Sequence, residues 1–292
     1  MRLATLELEV LFLSPSSRRA CAPRQTPVAT HALKGSIRPK ALEMLLAFMC
    51  EGECDIDEGQ LKIAAEDLGI DVAVRLDVTD PASIGNFLDV TEEALGPLDV
   101  LINNAGVMPT GHAHEEPDEV TRRQVEINVL GVIFGTKVAL QRMLPRRRGH
   151  IINTASLAGE LPVPGLATYC GTKFAVIGFT EAARQEYRRS GVNLSTVRPT
   201  FTNTELVSGT SGAKGMRNAE PQEIARATAA LIERPQPFVR VTRVAGTMVA
   251  AMKFVPGRVA TQLGSMLGTD TVFLDRVDNE ARRAYLERIE RS

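Results

Sequence analysis

Short apolar runs separated by stretches with helical spacing constrain this chain more than any other feature. The runs are Val72 to Leu76, Leu98 to Ile102, His150 to Thr154, Val192 to Val197 and Phe238 to Val241. They are short and largely apolar, as in strands buried on both faces. Between them, Ile84, Phe87, Leu88 and Leu95 keep helical spacing from Pro81 until Gly96-Pro97, and Asp80 stands as N-cap before Pro81. Further helices are predicted over Glu58 to Leu68, Pro117 to Met143, from Tyr169 to about Arg189, and from Pro221 with Ile224, Leu231 and Ile232 inward. Strand, helix, strand, helix in this order predicts an α/β chain with a parallel sheet covered on both faces.

The flanks are less regular. Leu6, Leu8, Val10 and Phe12 alternate with Glu7 and Glu9, as in a half-exposed strand. A loop follows by composition, then a helix over 40–49 with Leu42, Leu45, Leu46 and Met49 on one face. Thr200 to Met216 is polar and without period, as in a mobile segment. From Arg243 onward the chain is basic and apolar, with Met248, Val249, Met252 and Val255 beside Lys253 and Arg258, and it closes on a helix near Arg276 to Ile289. The expected division is an atypical N-terminal segment 1–54, a central domain 55–242 and a C-terminal helical extension 243–292. The extension is expected to cap a cleft or meet another subunit.

Composition narrows the partners. The formal net charge of −1 gives no field to draw in nucleic acid, and Arg146-Arg147-Arg148 reads as a solvated loop. Cys21, Cys50, Cys54 and Cys170 have no framework spacing, so reduced thiols in a cytoplasmic protein are expected. Cys50 and Cys54 lack a second ligand pair for zinc, and His112, His114, Glu115 and Glu116 read as a polar loop; no metal is expected. No apolar run is long enough to span a bilayer, and Glu7 and Glu9 interrupt the only stretch resembling a secretion signal.

The chemistry lies in Ile151 to Lys173, IINTASLAGELPVPGLATYCGTK. Tyr169 and Lys173 are four apart and share one helix face. An ammonium one turn from a phenol favours the phenolate, so Tyr169 can act as acid to a forming alkoxide or as base to an alcohol. Ser156, after the apolar run, can donate a second hydrogen bond to the same oxygen. No side chain supplies a hydride, so a nicotinamide cofactor is required. Tyr-x-x-x-Lys alone is weak, because helix-surface pairs produce it often.

Other residues strengthen it. Asp77-Val78, Asn103-Asn104-Ala105-Gly106, Asn128, the 13-residue interval from Ser156 to Tyr169, and Pro199-Thr200-Phe201-Thr202-Asn203-Thr204 occur in order. Over about Asp55 to Thr204 the chain resembles the short-chain dehydrogenase/reductase family. The resemblance implies a Rossmann-like doubly wound sheet, NAD (or NADP) as cofactor, and Ser156, Tyr169, Lys173 and Asn128 as the catalytic set. In that family the carbonyl of the helix asparagine holds a water linked to the lysine. Asn104, Asp77, Val78 and Thr202 would touch the cofactor, together with Tyr169 and Lys173. The expected activity is that of an NAD(P)-dependent alcohol dehydrogenase or carbonyl reductase acting on an apolar alcohol or ketone, in a homodimer or homotetramer. The segment from about Phe201 to Met216 and Met108, Leu161 and Val163 are candidates to line its pocket, and core packing explains their apolar character equally well.

The chain departs from the family pattern in two places. Thr200 stands where the family has a glycine, and a β-branched residue restricts backbone approach. The family also begins with a strand and a G-x-x-x-G-x-G turn that cradles a pyrophosphate, whereas only Gly35 and Gly52 precede Asp55 here. The first βαβ unit is therefore expected to be incomplete. Asp55 fits the family's ribose-binding acid, which favours NAD, and fits equally a helix N-cap. The alternative function is a non-catalytic or cofactor-impaired binding module on a dehydrogenase fold.

Overall fold

A computed structural model of the chain describes residues 10–12, 74–207, 210, 217–256, 258, 259, 262, 272–274, 277, 278 and 282. The apolar runs become strands of one sheet. Strands β2 (Val100–Asn103), β3 (Gly149–Thr154), β4 (Val192–Pro199) and β5 (Phe238–Val241) are parallel neighbours in that order. Strand β1 (Val10–Phe12) pairs with the other edge of β2 and runs antiparallel to it.

Because successive side chains on a strand face opposite ways, each apolar run feeds two cores. Leu101, Ile151 and Leu194 face one side. There they meet Ile84 and Leu88 of α1 (Pro81–Leu95) and Ala139, Leu140 and Met143 of α3 (Val132–Met143). Val100, Ile102, Ile152 and Val197 face the other side, against Ile224, Ala225 and Leu231 of α5 (Pro221–Glu233). The doubly wound parallel sheet expected from the sequence is present. Asp80 caps α1 as expected, its carboxylate accepting from the Ala82 amide at 2.9 Å.

The predicted long helix Pro117 to Met143 is interrupted in its middle. It comprises α2 (Asp118–Val125), a π-helical turn (Glu126–Gly131) and α3. The turn contains Asn128, and such widened turns inside α-helices often mark functional sites. The Tyr169 helix is α4 (Ala167–Glu186), and α6 (Arg243–Met252) follows β5.

The N-terminal expectations fall mostly outside the described residues: the helices over 40–49 and Glu58 to Leu68, the loop between, and Asp55. Of the predicted strand at Val72, residues 74–76 carry no strand pairing, although Leu76 is buried in the α1-side core. Val10 pairs with Asn103 and Phe12 with Leu101. The chain therefore enters β1 at the end where β2 finishes and leaves it at the opposite end. The terminal helix near Arg276 lies outside the described residues except for Val277, Asp278 and Arg282.

A buried polar ladder joins the sheet to its helices. Asn103 Nδ2 donates to Asn153 Oδ1 at 2.8 Å, and Asn153 Nδ2 donates to Thr180 Oγ1 at 2.9 Å. Thr136 Oγ1 stands 3.4 Å from both amide nitrogens. Gly135 permits this approach, because a Cβ there would overlap the Asn103 amide. Gly135→Ala should therefore destabilise by about 1–3 kcal/mol, although alanine is the better helix former by about 1 kcal/mol. A lower urea midpoint at unchanged m would show this; a stabilised variant would contradict it.

His150 on β3 is buried, and burial lowers its pKa from 6.5 to about 4. Ser195 Oγ donates to the Gln236 carbonyl (2.6 Å), so it accepts from His150 Nε2 (2.8 Å) and the ring is neutral with its proton on Nε2. Unfolding lets the ring take up a proton below pH 6.5. This contribution is therefore complete above pH 6.5 and is lost as pH falls towards 4. His150→Gln should flatten the stability profile across that window; an unchanged slope would contradict the assignment.

Candidate active site

Three parallel strands end on one side of the sheet, and the cavity opens there. Its lining includes Asn104 and Gly106 after β2, Thr154, Ala155 and Ser156 at the end of β3, and Pro199, Thr200 and Thr202 at the end of β4. Tyr169 and Lys173 of α4 complete the polar side, and Met108, Phe201, Leu206, Val207 and Ile224 the apolar side. Its volume is about 80 Å³. Ligand crevices beyond the carboxyl ends of parallel strands are the rule in open α/β sheets.

Ser156 has extended backbone and begins a short turn of 3-10 helix, Leu157–Gly159. Its Oγ accepts from the Ala158 amide at 3.1 Å and lies 3.5 Å from the Pro199 carbonyl. The Lys173 ammonium donates to the Thr154 carbonyl at 3.1 Å and lies 5.6 Å from the centre of the Tyr169 ring. Both side chains are buried. Gly106 lets backbone approach the ammonium, since a Cβ there would stand 3.3 Å from Lys173 Nζ.

Asn128 lies behind this group and is fully buried. Its Oδ1 accepts from the Val107 amide at 2.8 Å. Its Nδ2 donates to the Val107 carbonyl at 2.9 Å and to Thr172 Oγ1 at 3.1 Å. Thr172 donates in turn to the Tyr169 carbonyl at 2.7 Å. The segment after β2 and the helix bearing Tyr169 are thus tied to one side chain. Thr172 was not singled out from the sequence; its place between Tyr169 and Lys173 was the available signal.

Of the expected site residues, the fold brings together Asn104, Ser156, Tyr169, Lys173 and Thr202 in the cavity, with Asn128 beneath. Asp77 and Val78 do not line it. Asp77 accepts from the Thr79 amide and hydroxyl, and Val78 is buried against Gly131. Asp55 is outside the described residues. Met108 lines the cavity as expected, but Leu161 and Val163 do not. Leu161 packs with Leu157, Ala245 and Val249, and Val163 packs in the cluster behind Tyr169. Thr200, the departure from glycine, lines the cavity and donates its backbone N–H to the Val241 carbonyl. Among the described residues, no three His, Cys, Asp or Glu gather as metal ligands, and no helix is long and apolar enough to cross a membrane.

Sequence reasoning missed the charged cluster under Ser156. The Glu160 carboxylate accepts from Arg198 (2.9 Å), from Arg240 through two nitrogens (2.9 and 2.7 Å) and from Lys253 (2.6 Å). The side chain is 1% exposed. Burial pushes its pKa up, but the hydrogen bonds from Arg240, Lys253 and Arg198 outweigh it and hold it at about 2. The cluster fastens the serine turn to β4, β5 and the end of α6.

The chain belongs to the short-chain dehydrogenase family, whose pattern matches residues 51–214. It is 37% identical over 173 residues to an uncharacterised oxidoreductase of Staphylococcus saprophyticus, spanning 56% of this chain and 70% of that protein. It is 40% identical over 146 residues to an inactive 2-(S)-hydroxypropyl-CoM dehydrogenase of Xanthobacter autotrophicus, spanning 50% of this chain and 64% of that one. Among solved structures it resembles a short-chain dehydrogenase/reductase from Burkholderia phymatum in complex with NAD. There the TM-score is 0.61 at 25% identity, over 67% of this chain and 81% of the other.

Glu160→Gln leaves three cations around a neutral amide. It should cost about 2–3 kcal/mol at neutral pH, less than a fully buried pair because Arg240 and Lys253 are partly exposed. A depressed carboxyl pKa stabilises above the unfolded value of 4.5, and this is lost as pH falls towards 2. Chemical denaturation from pH 7 to pH 2 should show that slope in the parent and its reduction in the variant; equal slopes would refute the role.

Proposed function

We propose that this cleft interconverts a small apolar alcohol and its ketone or aldehyde by hydride exchange with a nicotinamide dinucleotide. The convergence of the Ser156 hydroxyl, the Tyr169 phenol and the buried Lys173 ammonium on one cavity at the strand ends supports this reading above all.

The residues present fit the nicotinamide end of such a cofactor. Gly106 leaves room beside the ammonium, and Asn104, Thr200 and Thr202 offer polar groups on the cavity wall. Asn104, Thr202, Tyr169 and Lys173 would hold it; Asp77 and Val78 belong to the adenine side, and Asp55 would favour NAD over NADP. When bound, the cofactor supplies or accepts the hydride.

The rest of the work is done by the chain. Ser156 orients the substrate oxygen and polarises the carbonyl. Tyr169 delivers a proton to that oxygen in reduction and removes it in oxidation. Lys173 favours the phenolate electrostatically. Asn128 fixes the helix that carries both, and its place supports a proton relay to solvent. Met108, Phe201, Leu206 and Val207 exclude water and select an apolar substrate. A homodimer or homotetramer through the helices bearing Asn128 and Tyr169, in the cytoplasm, accords with the family resemblance.

Tyr169→Phe removes only the proton donor. It should lower kcat by about 10²–10⁴-fold or more while leaving NADH fluorescence titration and thermal unfolding close to the parent. Retained turnover would refute the role of Tyr169.

A further inference from the structure

The residues behind the apolar wall of the cavity come from the far C-terminal part of the chain. Arg282 is fully buried. Its Nη1 donates to the Leu206 carbonyl at 2.9 Å and its Nη2 to the Met108 carbonyl at 2.8 Å. Met108 and Leu206 belong to separate segments, one after β2 and one after β4, and both residues line the cavity. One guanidinium therefore joins two separate segments of the cavity's apolar side.

The neighbouring residues reinforce it. Val272 and Phe273 are buried in the cluster that contains Met108, Leu166, Tyr169 and Cys170. The Phe273 ring lies 4.8 Å from that of Phe201, another lining residue. At Gly165, where φ is +80°, an added Cβ would stand 2.7 Å from the Phe273 carbonyl oxygen. Gly165 in turn accepts from the Gly111 amide at 3.0 Å. The segment after Met108 is also held at Glu116, which accepts from Thr168 at 2.7 Å. The Met108 side is thus anchored at several points, and Arg282 extends that anchorage to Leu206.

We propose that Arg282 is a specificity-determining positioning residue. By tying the Met108 and Leu206 carbonyls together from behind, it fixes the two segments that form the apolar side and so limits the size of alcohol or ketone admitted. This rests on the reading of the cavity as a carbonyl site. A planar guanidinium suits the task, because its donors are fixed in a fork that can meet two carbonyls at once. An ammonium on a flexible stem keeps the charge without that fixed span.

The test is Arg282→Lys in the full-length chain, with butanone, 2-hexanone and 2-octanone reduced by NADH. The parent should prefer butanone. In the variant, the ratio of kcat/KM for 2-octanone to that for butanone should rise by about tenfold, the scale set by methylene groups in an apolar pocket. The change should lie mainly in KM for the longer ketone, with KM for NADH unaltered. Amide hydrogen exchange at Leu206 and Val207 should accelerate in the variant. An unchanged ratio in a folded, active variant overturns the proposal, and so does unchanged exchange. If the parent reduces none of the three ketones, the carbonyl-site reading fails for these substrates, and the exchange comparison still decides whether Arg282 holds the two segments. If Arg282→Lys does not fold, Arg282→Gln removes the charge and replaces the fork with a single amide. It should shift the ratio in the same direction, and no shift in a folded, active Arg282→Gln overturns the proposal.

Discussion

The amide of Asn128 is the contact on which the site depends. It is buried with no exposed surface and uses both of its ends: two hydrogen bonds to the backbone of Val107 and one to Thr172. A strand end and a helix from distant parts of the chain are thereby fixed against each other. Asn104 and Gly106 stand on one side of that joint, Tyr169 and Lys173 on the other. A buried amide left without partners is costly, so the joint is favoured only when both segments are in place. The π-helical turn around Asn128 belongs to the same constraint, since it occurs where the helix carries this side chain inward.

A second tier of polar contacts braces the elements that carry the site. The ladder of Asn103, Asn153, Thr136 and Thr180 joins β2 and β3 to the helices above them. Glu160 and its three cations fasten the Ser156 turn to β4, β5 and the end of α6. Ser156 is thus held between a strand end and a charged anchor, and Tyr169 between Asn128 and the apolar cluster containing Phe273. Such groups act from positions held before any ligand arrives, which is what electrostatic stabilisation of a developing alkoxide requires.

Much of this was legible in the sequence. The strands β2 to β5 follow from apolar runs buried on both faces, and α1 from Asp80, Pro81 and the spacing of Ile84, Phe87 and Leu88. Ser156, Tyr169 and Lys173 could be singled out by their chemistry and spacing, and Asn104 by the resemblance of Asn103-Asn104-Ala105-Gly106 to a family motif. What escaped was long-range. The Glu160 cluster joins residues up to 93 positions apart, and Arg282 reaches a carbonyl 174 positions away, so no local pattern marks either. Leu161 and Val163 could not be assigned to pocket or core from the sequence, because an apolar side chain near a site looks the same in either place. The polarity of β1 was also unreadable, since alternation fixes the faces of a strand but not its direction.

Strand β1 runs from the cleft end of β2 towards the opposite end, against the direction of β2 to β5. The proposed reaction requires that a nicotinamide come to lie next to Tyr169. The most direct measurement is transfer of label: purified protein incubated with NADH carrying deuterium at both C4 positions and a small ketone, with the alcohol product analysed by mass spectrometry. The account predicts deuterium on the carbinol carbon, formed only when the protein is present. Alcohol without deuterium, or no alcohol formed while NADH is bound, would contradict it.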